Sequence, residues 1–313
     1  MSLVKKFLNP KNDVAFKKIF GTEKNQDILI TMLNAVLKKQ LHKPIKEVQF
    51  LSPIQEPEAL AKKQSIVDVL CKDEDGCQYV IEMQLANAKG FQERAQYYAC
   101  KAFISQMKEG QAYENLKEVI FLAFCSFPIF KHKKHYKSEH ITIDKKTGEH
   151  DLDKLSFTFI DLIKFDKTRS KAIEDLSLEE KFYYFLHHGS TIDEGSLRTL
   201  IGQDVVIKNA FKALERYAWT DDELCRYEQE LKRVRDNQAC LSFAQDQGVQ
   251  KGIAEGRREG IAEGEERGRK ERNQEIAREL LILGIDDKTI ITSTGLTRQW
   301  LGHLKNEIKE NKS

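Results

Sequence analysis

The stretch from Ser65 to Leu85, SIVDVLCKDEDGCQYVIEMQL, limits the fold more than any other part of the chain. It consists of two runs of β-branched and aliphatic residues around an acidic turn, Lys72 to Gly76. Such runs, bounded by a turn that contains glycine, are typical of a β-hairpin. Each predicted strand nevertheless carries an acid within its apolar run, Asp68 in the first and Glu82 in the second.

The alternation of side chains along a strand predicts which face each acid occupies. Asp68 shares a face with Ile66 and Leu70, and Glu82 shares a face with Gln84. The turn sets Asp68 opposite Glu82 or one step diagonal to it, with Cβ atoms about 5 to 8 Å apart. The hairpin therefore predicts two neighbouring carboxylates on one face of a sheet.

Two carboxylates at this separation repel each other, and burial increases the cost of both charges. A bound divalent cation removes this cost, and oxygen ligands suit Mg²⁺, with Mn²⁺ as a substitute. The alternative is a solvated sheet face that holds no ion. Aliphatic neighbours on the same face favour the metal site.

The segments around the hairpin predict a mixed α/β domain. Helical spacing precedes it between residues 12 and 37, followed by a short extended stretch, KEVQFLSPI. After the hairpin, the segment from Ala88 to Gly110 has helical spacing, and KEVIFLAFCSF is typical of a strand buried on both faces. The predicted order up to Phe127 is α-β-β-β-α-β. Further strands are predicted near 139–143 and 156–162, and helices from about 178 to 246.

The spacing Asp68…Glu82-x-Gln84 on two adjacent strands, with a helix behind them, resembles the core of PD-(D/E)xK nucleases. The chain is more specifically similar to the recombination-promoting nuclease/putative transposase family, also called PD-(D/E)xK nuclease family transposases. Four segments between about residues 9 and 165 carry the resemblance: NPKNDVAFKKIFG, VIEMQ, FQERAQYYACKAFISQ and LSFTFIDLIKF. The resemblance implies a restriction-endonuclease-like fold, a metal-dependent DNA endonuclease, and a role in recombination or transposition.

The resemblance also implies roles for individual residues. Asp68 and Glu82 would hold the metal ion, and the main-chain carbonyl of Met83 would be a third ligand. Gln84 stands where many PD-(D/E)xK nucleases have a lysine that orients the attacking water. A neutral amide can position water, but it cannot offset negative charge as an ammonium group does.

Positive charge from the following helix would complete such a site. Arg94 and Lys101 are seven residues apart, hence on one helix face about 10 Å from end to end. We expect Lys101 to be the catalytic cation; a solvated helix face is the alternative. Asp13 is expected to cap the first helix rather than to contact the ion. The lysine-rich stretch 129–140 is expected either to bind DNA phosphates or to be a solvated loop.

The composition changes at Gly248, from which glycines recur every four residues to Gly268 among charged residues. Each glycine costs a helix about 1 kcal/mol relative to alanine. The repeat is therefore either a helix that self-associates through its glycine face or a frayed linker. The tail after it has the pattern of three short helices, with cap residues Asp286 and Thr297 and turn glycines Gly284 and Gly295. It is consistent with a helix-turn-helix, in which DNA contacts would come from Arg298, Gln299, Lys305 and Asn306, and equally with any small helical bundle.

The chain of 313 residues is predicted to have four parts. They are a nuclease core (1–165), a helical extension packed on it (166–246), the glycine repeat (247–272) and a small helical tail (273–313). No apolar run approaches the ~20 residues of a membrane helix, and the first residues lack the apolar core of a signal peptide. We therefore expect a cytoplasmic protein with six buried, free cysteines and no membrane partner. The family resemblance implies DNA as its substrate, and the glycine repeat favours a homo-oligomeric state.

Two rival functions remain open from the sequence. The first is a catalytically weak DNA-binding protein that keeps the nuclease fold, which Gln84 at the lysine position favours. The second is an assembly protein in which the glycine-repeat helix and the tail are the functional parts. A net charge of +2 does not decide between them, because local patches matter more than the total charge.

Overall fold

The computed structural model describes residues 6–55, 65–107 and 110–310. It divides into two compact units, Met1–Val234 and Arg235–Ser313. The strands are β1 (Val48–Phe50), β2 (Ile54–Gln55), β3 (Ser65–Ile66), β4 (Val69–Asp73), β5 (Gln78–Gln84), β6 (Val119–Cys125), β7 (Lys137–Ile141) and β8 (Leu155–Asp161). The helices are α1 (Asp13–Phe20), α2 (Gln26–Val36), α3 (Phe91–Ile104), α4 (Leu162–Thr168), α5 (Leu178–His188), α6 (Glu194–Ile201), α7 (Val205–Leu214), α8 (Asp221–Ile282), α9 (Asp287–Thr294) and α10 (Arg298–Glu310).

A six-stranded sheet in the order β1-β4-β5-β6-β8-β7 is the centre of the first unit. Its pairings are mostly antiparallel, but β6 runs parallel to both β5 and β8. A parallel pairing needs a crossover, and α3 supplies the one between β5 and β6. Along the chain, α2, β1, β4, β5, α3 and β6 therefore follow one another in the predicted order α-β-β-β-α-β. The short ribbon of β2 and β3 is inserted after β1.

The sheet separates two apolar clusters. One face packs against α1, α2, α5, α6 and α7, through buried residues such as Phe16, Leu29 and Phe124. The other face packs against α3, and this α3-side cluster includes Val80, Phe91, Ala95, Phe121 and Phe159. Strand β5 contributes alternate residues to the two clusters, as its sequence pattern predicted.

The first strand of the hairpin differs from its prediction. It was expected to run without interruption from Ser65, but the chain bends at Asp68, between the end of β3 and the start of β4. Val67 consequently joins the α3-side cluster, whereas Val69 and Cys71 join the opposite cluster. Strand alternation predicts one common face for these three residues, and this prediction is therefore wrong. Pairing of β3 with β2, rather than with the hairpin partner, redirects the chain there.

Helix α8 is longer than the sequence pattern indicated. The predicted boundaries after residues 246 and 272 both lie inside it, and the boundary after residue 165 lies inside α4. The charged residues between the glycines are good helix formers, so the repeat continues the helix instead of ending it. Among the described residues of the second unit, a Cβ atom added to any of the six glycines would meet no heavy atom within 4 Å beyond the helix's own nearby backbone. The glycine face is thus not covered by other described residues of its own unit.

The second unit closes around a small apolar core of Ala277, Ile290, Leu301 and Leu304. Asp286 caps α9 by accepting a hydrogen bond from the Thr289 amide at 3.1 Å. The predicted cap and turn residues are thus confirmed, although the first of the three expected short helices is the end of α8. All six cysteines are free thiols, as expected, but the prediction that they are buried holds only for Cys71 and Cys125; Cys100, Cys225 and Cys240 are exposed. No helix in the described part of the chain combines the length and apolarity needed to cross a bilayer.

Candidate active site

The two acids of the hairpin meet where β4 begins and β5 approaches its end. Val69 pairs with Ile81, so Asp68 and Glu82 are the next opposed positions in the same register. The bend at Asp68 turns its carboxylate onto the main chain of β5, where Oδ2 accepts a hydrogen bond from the Met83 amide at 2.7 Å. This bond ties the carboxylate to the end of the ladder and fixes its position beside Glu82.

Both acids are shielded from water. Glu82 is 3% exposed, and the side chain of Asp68 is 15% exposed. Burial raises the pKa of Asp68 well above its ordinary value, and burial together with the charge of Asp68 does the same to the pKa of Glu82. This degree of burial contradicts the alternative of a solvated sheet face.

A chain of hydrogen bonds connects Glu82 to α3. The Gln84 amide donates from Nε2 to Glu82 Oε2 at 2.6 Å, and its Oε1 accepts from the Arg94 guanidinium at 2.7 Å. The guanidinium also lies over the rings of Phe91 and Tyr98, at 5.1 and 5.9 Å from their centroids. Arg94 therefore brings positive charge from α3 to Gln84 and Glu82.

Lys101 lies in the last turn of α3, half-buried, seven residues beyond Arg94. That offset corresponds to about 10 Å along the helix axis. Its role as a catalytic cation stays a prediction.

The cap of the first helix is Asn12, so the prediction for Asp13 was wrong. The Asn12 side chain accepts hydrogen bonds from the amides of Val14 and Ala15, at 3.0 and 3.4 Å. The backbone at Asn12 is extended, as a capping residue requires, whereas Asp13 is already the first helical residue.

Asp13 does not cap the helix, and its side chain lies beside the acids of the hairpin instead. Its carboxylate accepts a hydrogen bond from Lys17 at 3.0 Å, and its negative charge beside Asp68 helps to raise the pKa of Asp68. Lys17 Nζ lies 3.7 Å from Asp68 Oδ1. Burial lowers the pKa of Lys17, but Asp13, Asp68 and Glu82 together outweigh burial and raise it.

The sequence offered one signal for this contribution. Asp13 and Lys17 are four residues apart on one helix face, inside the segment NPKNDVAFKKIFG that carries the family resemblance. The carboxylates of Asp13, Asp68 and Glu82 do not all lie within 4.8 Å of one another. An ion shared by all three would therefore require a side chain to rotate.

Two observations test whether a divalent ion fits the site. Glu82 Oε1 is buried without a hydrogen-bond partner, which leaves a carboxylate oxygen for a cation. The Gln84 carbonyl accepts a hydrogen bond from the Ser126 amide at 2.8 Å, on the edge of β5 that faces β6. Because neighbouring residues of a strand point to opposite edges, the Met83 carbonyl points to the other edge, where the Met83 amide donates to Asp68. Every donor is an oxygen atom, and such a set fits Mg²⁺ or Mn²⁺.

The raised pKa values predict how the stability of the metal-free protein depends on pH. A group whose folded pKa is raised favours folding while it is protonated, and this contribution is lost as the pH rises through the folded pKa. We therefore expect Mg²⁺ to raise the melting temperature by a few degrees more at about pH 9 than at about pH 5. Thermal unfolding with chelator or with Mg²⁺ measures this. An equal effect of Mg²⁺ at both pH values would contradict it, and Asp68→Asn should flatten the dependence.

The basic stretch after β6 is only partly available to DNA. Lys131 and Lys134 are exposed. Lys137 instead pairs with Glu179 at 3.0 Å, and Lys133 lies 3.3 Å from the His140 ring nitrogen Nε2.

In the tail, Arg298, Gln299 and Asn306 are exposed, as a helix-turn-helix would require. Lys305 is held by Asp287 at 2.6 Å. Three of the four expected DNA contacts are therefore accessible on this unit.

Comparison with known proteins places the chain in a family. Searches among curated proteins and among solved structures give no significant match. A family model described as PD-(D/E)XK nuclease family transposase matches residues 10–244, three quarters of the chain. The matched region contains the whole sheet, α1 to α7 and the first part of α8. The chain therefore belongs to the PD-(D/E)XK nuclease family transposases.

Proposed function

We propose that this protein is a Mg²⁺-dependent DNA endonuclease that hydrolyses phosphodiester bonds and acts in recombination or transposition. The element order from α2 to β6 supports a restriction-endonuclease-like core. The observation that carries the proposal is a pair of carboxylates, buried Glu82 and mostly buried Asp68, of which Glu82 has an unpartnered oxygen. A buried pair of this kind is costly unless a cation neutralises it.

The metal ion would be held by Asp68, Glu82 and the main-chain carbonyl of Met83. When bound, Mg²⁺ or Mn²⁺ lowers the pKa of a coordinated water and offsets the charge that develops on a phosphate. Asp13 raises the pKa of Asp68 by its charge, and this interaction would weaken when Asp68 turns to a cation. Lys17 would keep Asp13 neutralised during that change, because it binds both acids.

Gln84 and Arg94 would prepare the site for the attacking water. Each polar atom of the Gln84 amide uses one hydrogen bond within the protein, which leaves one N–H and one oxygen lone pair for a water molecule. The bonds to Glu82 and Arg94 fix the amide plane, so the water would be held in one orientation. Arg94 would supply the positive charge that a neutral glutamine cannot, next to the phosphate oxygens. Exposed Lys131 and Lys134 would bind DNA phosphates beyond the cleaved bond.

Cleavage of supercoiled plasmid by the full chain tests the proposal. We expect nicked or linear product with Mg²⁺ or Mn²⁺ and none with excess chelator, with cleavage restored when metal is added back. Cleavage that is indifferent to chelator would contradict a metal mechanism. DNA binding without cleavage at any metal concentration would instead support the rival function, a catalytically weak DNA-binding protein. The glutamine at the lysine position favours that rival.

We also propose that the chain forms homo-oligomers through α8. This highly charged helix exposes several large apolar side chains: Leu241, Phe243, Val249, Ile253 and Ile261. Contact with a second copy would cover them, and the open glycine face would allow the helices to approach closely. Sedimentation of the full chain measures its oligomeric state directly.

A further inference from the structure

A second cluster of potential metal ligands lies at the junction of α4 and α5. It consists of Asp166 on α4 and of His187 and His188, the last two residues of α5. Among the residues that the structure describes, these three form the one group of histidine, cysteine or acidic side chains whose ligand atoms all lie within 4.8 Å of one another. None of the three takes part in the active site proposed above.

The separations within the cluster match the size of a small metal site. His188 Nε2 lies 2.7 Å from Asp166 Oδ1, and His187 Nε2 lies 3.9 Å from Asp166 Oδ2. In a tetrahedral zinc site, with bonds of about 2.0 to 2.2 Å, neighbouring ligand atoms are about 3.3 Å apart. The two separations lie on either side of this value, so small side-chain rotations would bring all three atoms to bonding distance.

The surroundings of the two imidazoles differ. The side chain of His187 is only 16% exposed, and its Nδ1 is buried without a hydrogen-bond partner. His188 packs its ring against Tyr184, with ring centroids 4.5 Å apart. Both rings are thus held in place by packing rather than by a full set of hydrogen bonds. Donors that already lie close together lose little conformational entropy when they bind an ion.

Nearby positive charge narrows the choice of ion. Lys11 Nζ lies 3.4 Å from the His187 carbonyl, and the guanidinium of Arg169 lies over the Tyr184 ring at 5.2 Å. These groups oppose the entry of a further cation, so affinity has to come from strong bonds to the donors. Imidazole nitrogen forms such bonds with Zn²⁺ and its neighbours in the first transition series, whereas Mg²⁺ prefers oxygen ligands.

We propose that Asp166, His187 and His188 bind one Zn²⁺ ion per chain, at a site separate from the Mg²⁺ site of the hairpin. A water molecule would complete a tetrahedral set. The ion would cross-link α4 to α5 in place of the hydrogen bond between His188 and Asp166.

The location gives the ion a structural role near the active site. The segment before α1 crosses the end of α5, where Lys11 binds the His187 carbonyl and Pro10 lies against Gly189. A Cβ atom added to Gly189 would lie 3.3 Å from Pro10 Cγ. Fixing the end of α5 would therefore also fix the segment that leads to Asp13.

Cobalt titration of the full, tag-free, metal-stripped chain in excess Mg²⁺ tests the site. We expect one Co²⁺ per chain with the visible absorption of a four-coordinate nitrogen and oxygen site, and displacement by one equivalent of Zn²⁺. Asp166→Asn, and the double variant His187→Ala with His188→Ala, should weaken Co²⁺ binding by roughly 100-fold or more. His188→Gln is a milder change and should show the same loss while circular dichroism confirms the native fold.

Two controls separate this site from other sources of binding. Replacement of the exposed His132 and His135 by Ala should leave Co²⁺ binding unchanged. Asp68→Asn with Glu82→Gln should also leave it unchanged, because those residues belong to the Mg²⁺ site. Full Co²⁺ affinity in the His187 and His188 variants, loss of binding in the Asp68 and Glu82 variant, or a thiolate charge-transfer band would each overturn the proposal.

Discussion

Asp68→Asn and Glu82→Gln are each expected to lower Mg²⁺-dependent cleavage of plasmid DNA by about 10³-fold or more, because each removes a charged ligand from the ion that stabilises the transition state. Both replacements keep the shape of the side chain, so the effect reports on charge rather than on packing. Asp75→Asn, in the exposed turn of the same hairpin, is the matched control and should cleave like wild type. Equal nicking by wild type and either variant would mean that these acids are not the catalytic site.

The same variants should keep or gain stability in the absence of metal. Removing one of two crowded, mostly buried carboxylates removes their mutual repulsion. In chelator, the melting temperature of each variant should therefore equal or exceed that of wild type near pH 8. Addition of Mg²⁺ should raise the melting temperature of wild type alone, by ligand linkage. A variant that unfolds at lower temperature in chelator would indicate that the carboxylate stabilises the fold rather than serving a metal ion.

Arg94→Ala is expected to lower the cleavage rate by about 100-fold with a smaller effect on Mg²⁺ affinity. The guanidinium fixes Gln84 and brings positive charge to the site, but it does not bind the ion. Single-turnover rates measured across a Mg²⁺ titration separate the two effects. Arg94→Lys should restore part of the rate, because an ammonium group replaces the charge without the planar fork. Lys101→Ala, measured in parallel, tests the catalytic role predicted for Lys101, and a loss larger than that of Arg94→Ala would reverse the assignment.

A lysine at position 84 gives a sharper test of the same idea. By family resemblance, Gln84→Lys should keep or raise activity. In the structure, however, the guanidinium of Arg94 lies 2.7 Å from the amide oxygen of Gln84. An ammonium group at position 84 would therefore lie close to a second positive charge. We therefore expect Gln84→Lys to help most when Arg94 is absent, so that Gln84→Lys with Arg94→Ala cleaves faster than Arg94→Ala alone. If the effects of Gln84→Lys and Arg94→Ala on the cleavage rate simply add in the double variant, the two side chains do not share one electrostatic role.

The pairing of Asp68 with Glu82 could be predicted because it depends on neighbours in the sequence. The turn sets the register of the hairpin, and strand alternation sets the faces, so the spacing of two acids is enough to bring them together. Local sequence patterns likewise predicted the order of the core elements and the caps of the last two helices. The bend at Asp68 could not be predicted in this way, because pairing of β3 with β2 depends on a strand outside the hairpin.

The other contacts of the two candidate sites depend on packing between segments that are far apart in the chain. The place of Asp13 and Lys17 beside Asp68 follows from how α1 packs on the sheet, across more than fifty residues of sequence. The contact of Arg94 with Gln84 depends on where α3 lies along β5, which helical spacing alone cannot specify. The cluster of Asp166 with His187 and His188 likewise exists only because α4 and α5 meet. The sequence by itself determined the acids of the hairpin and their register, since these depend on local periodicity; tertiary structure decided their burial and their charged partners, since burial and charge depend on the packing of distant elements.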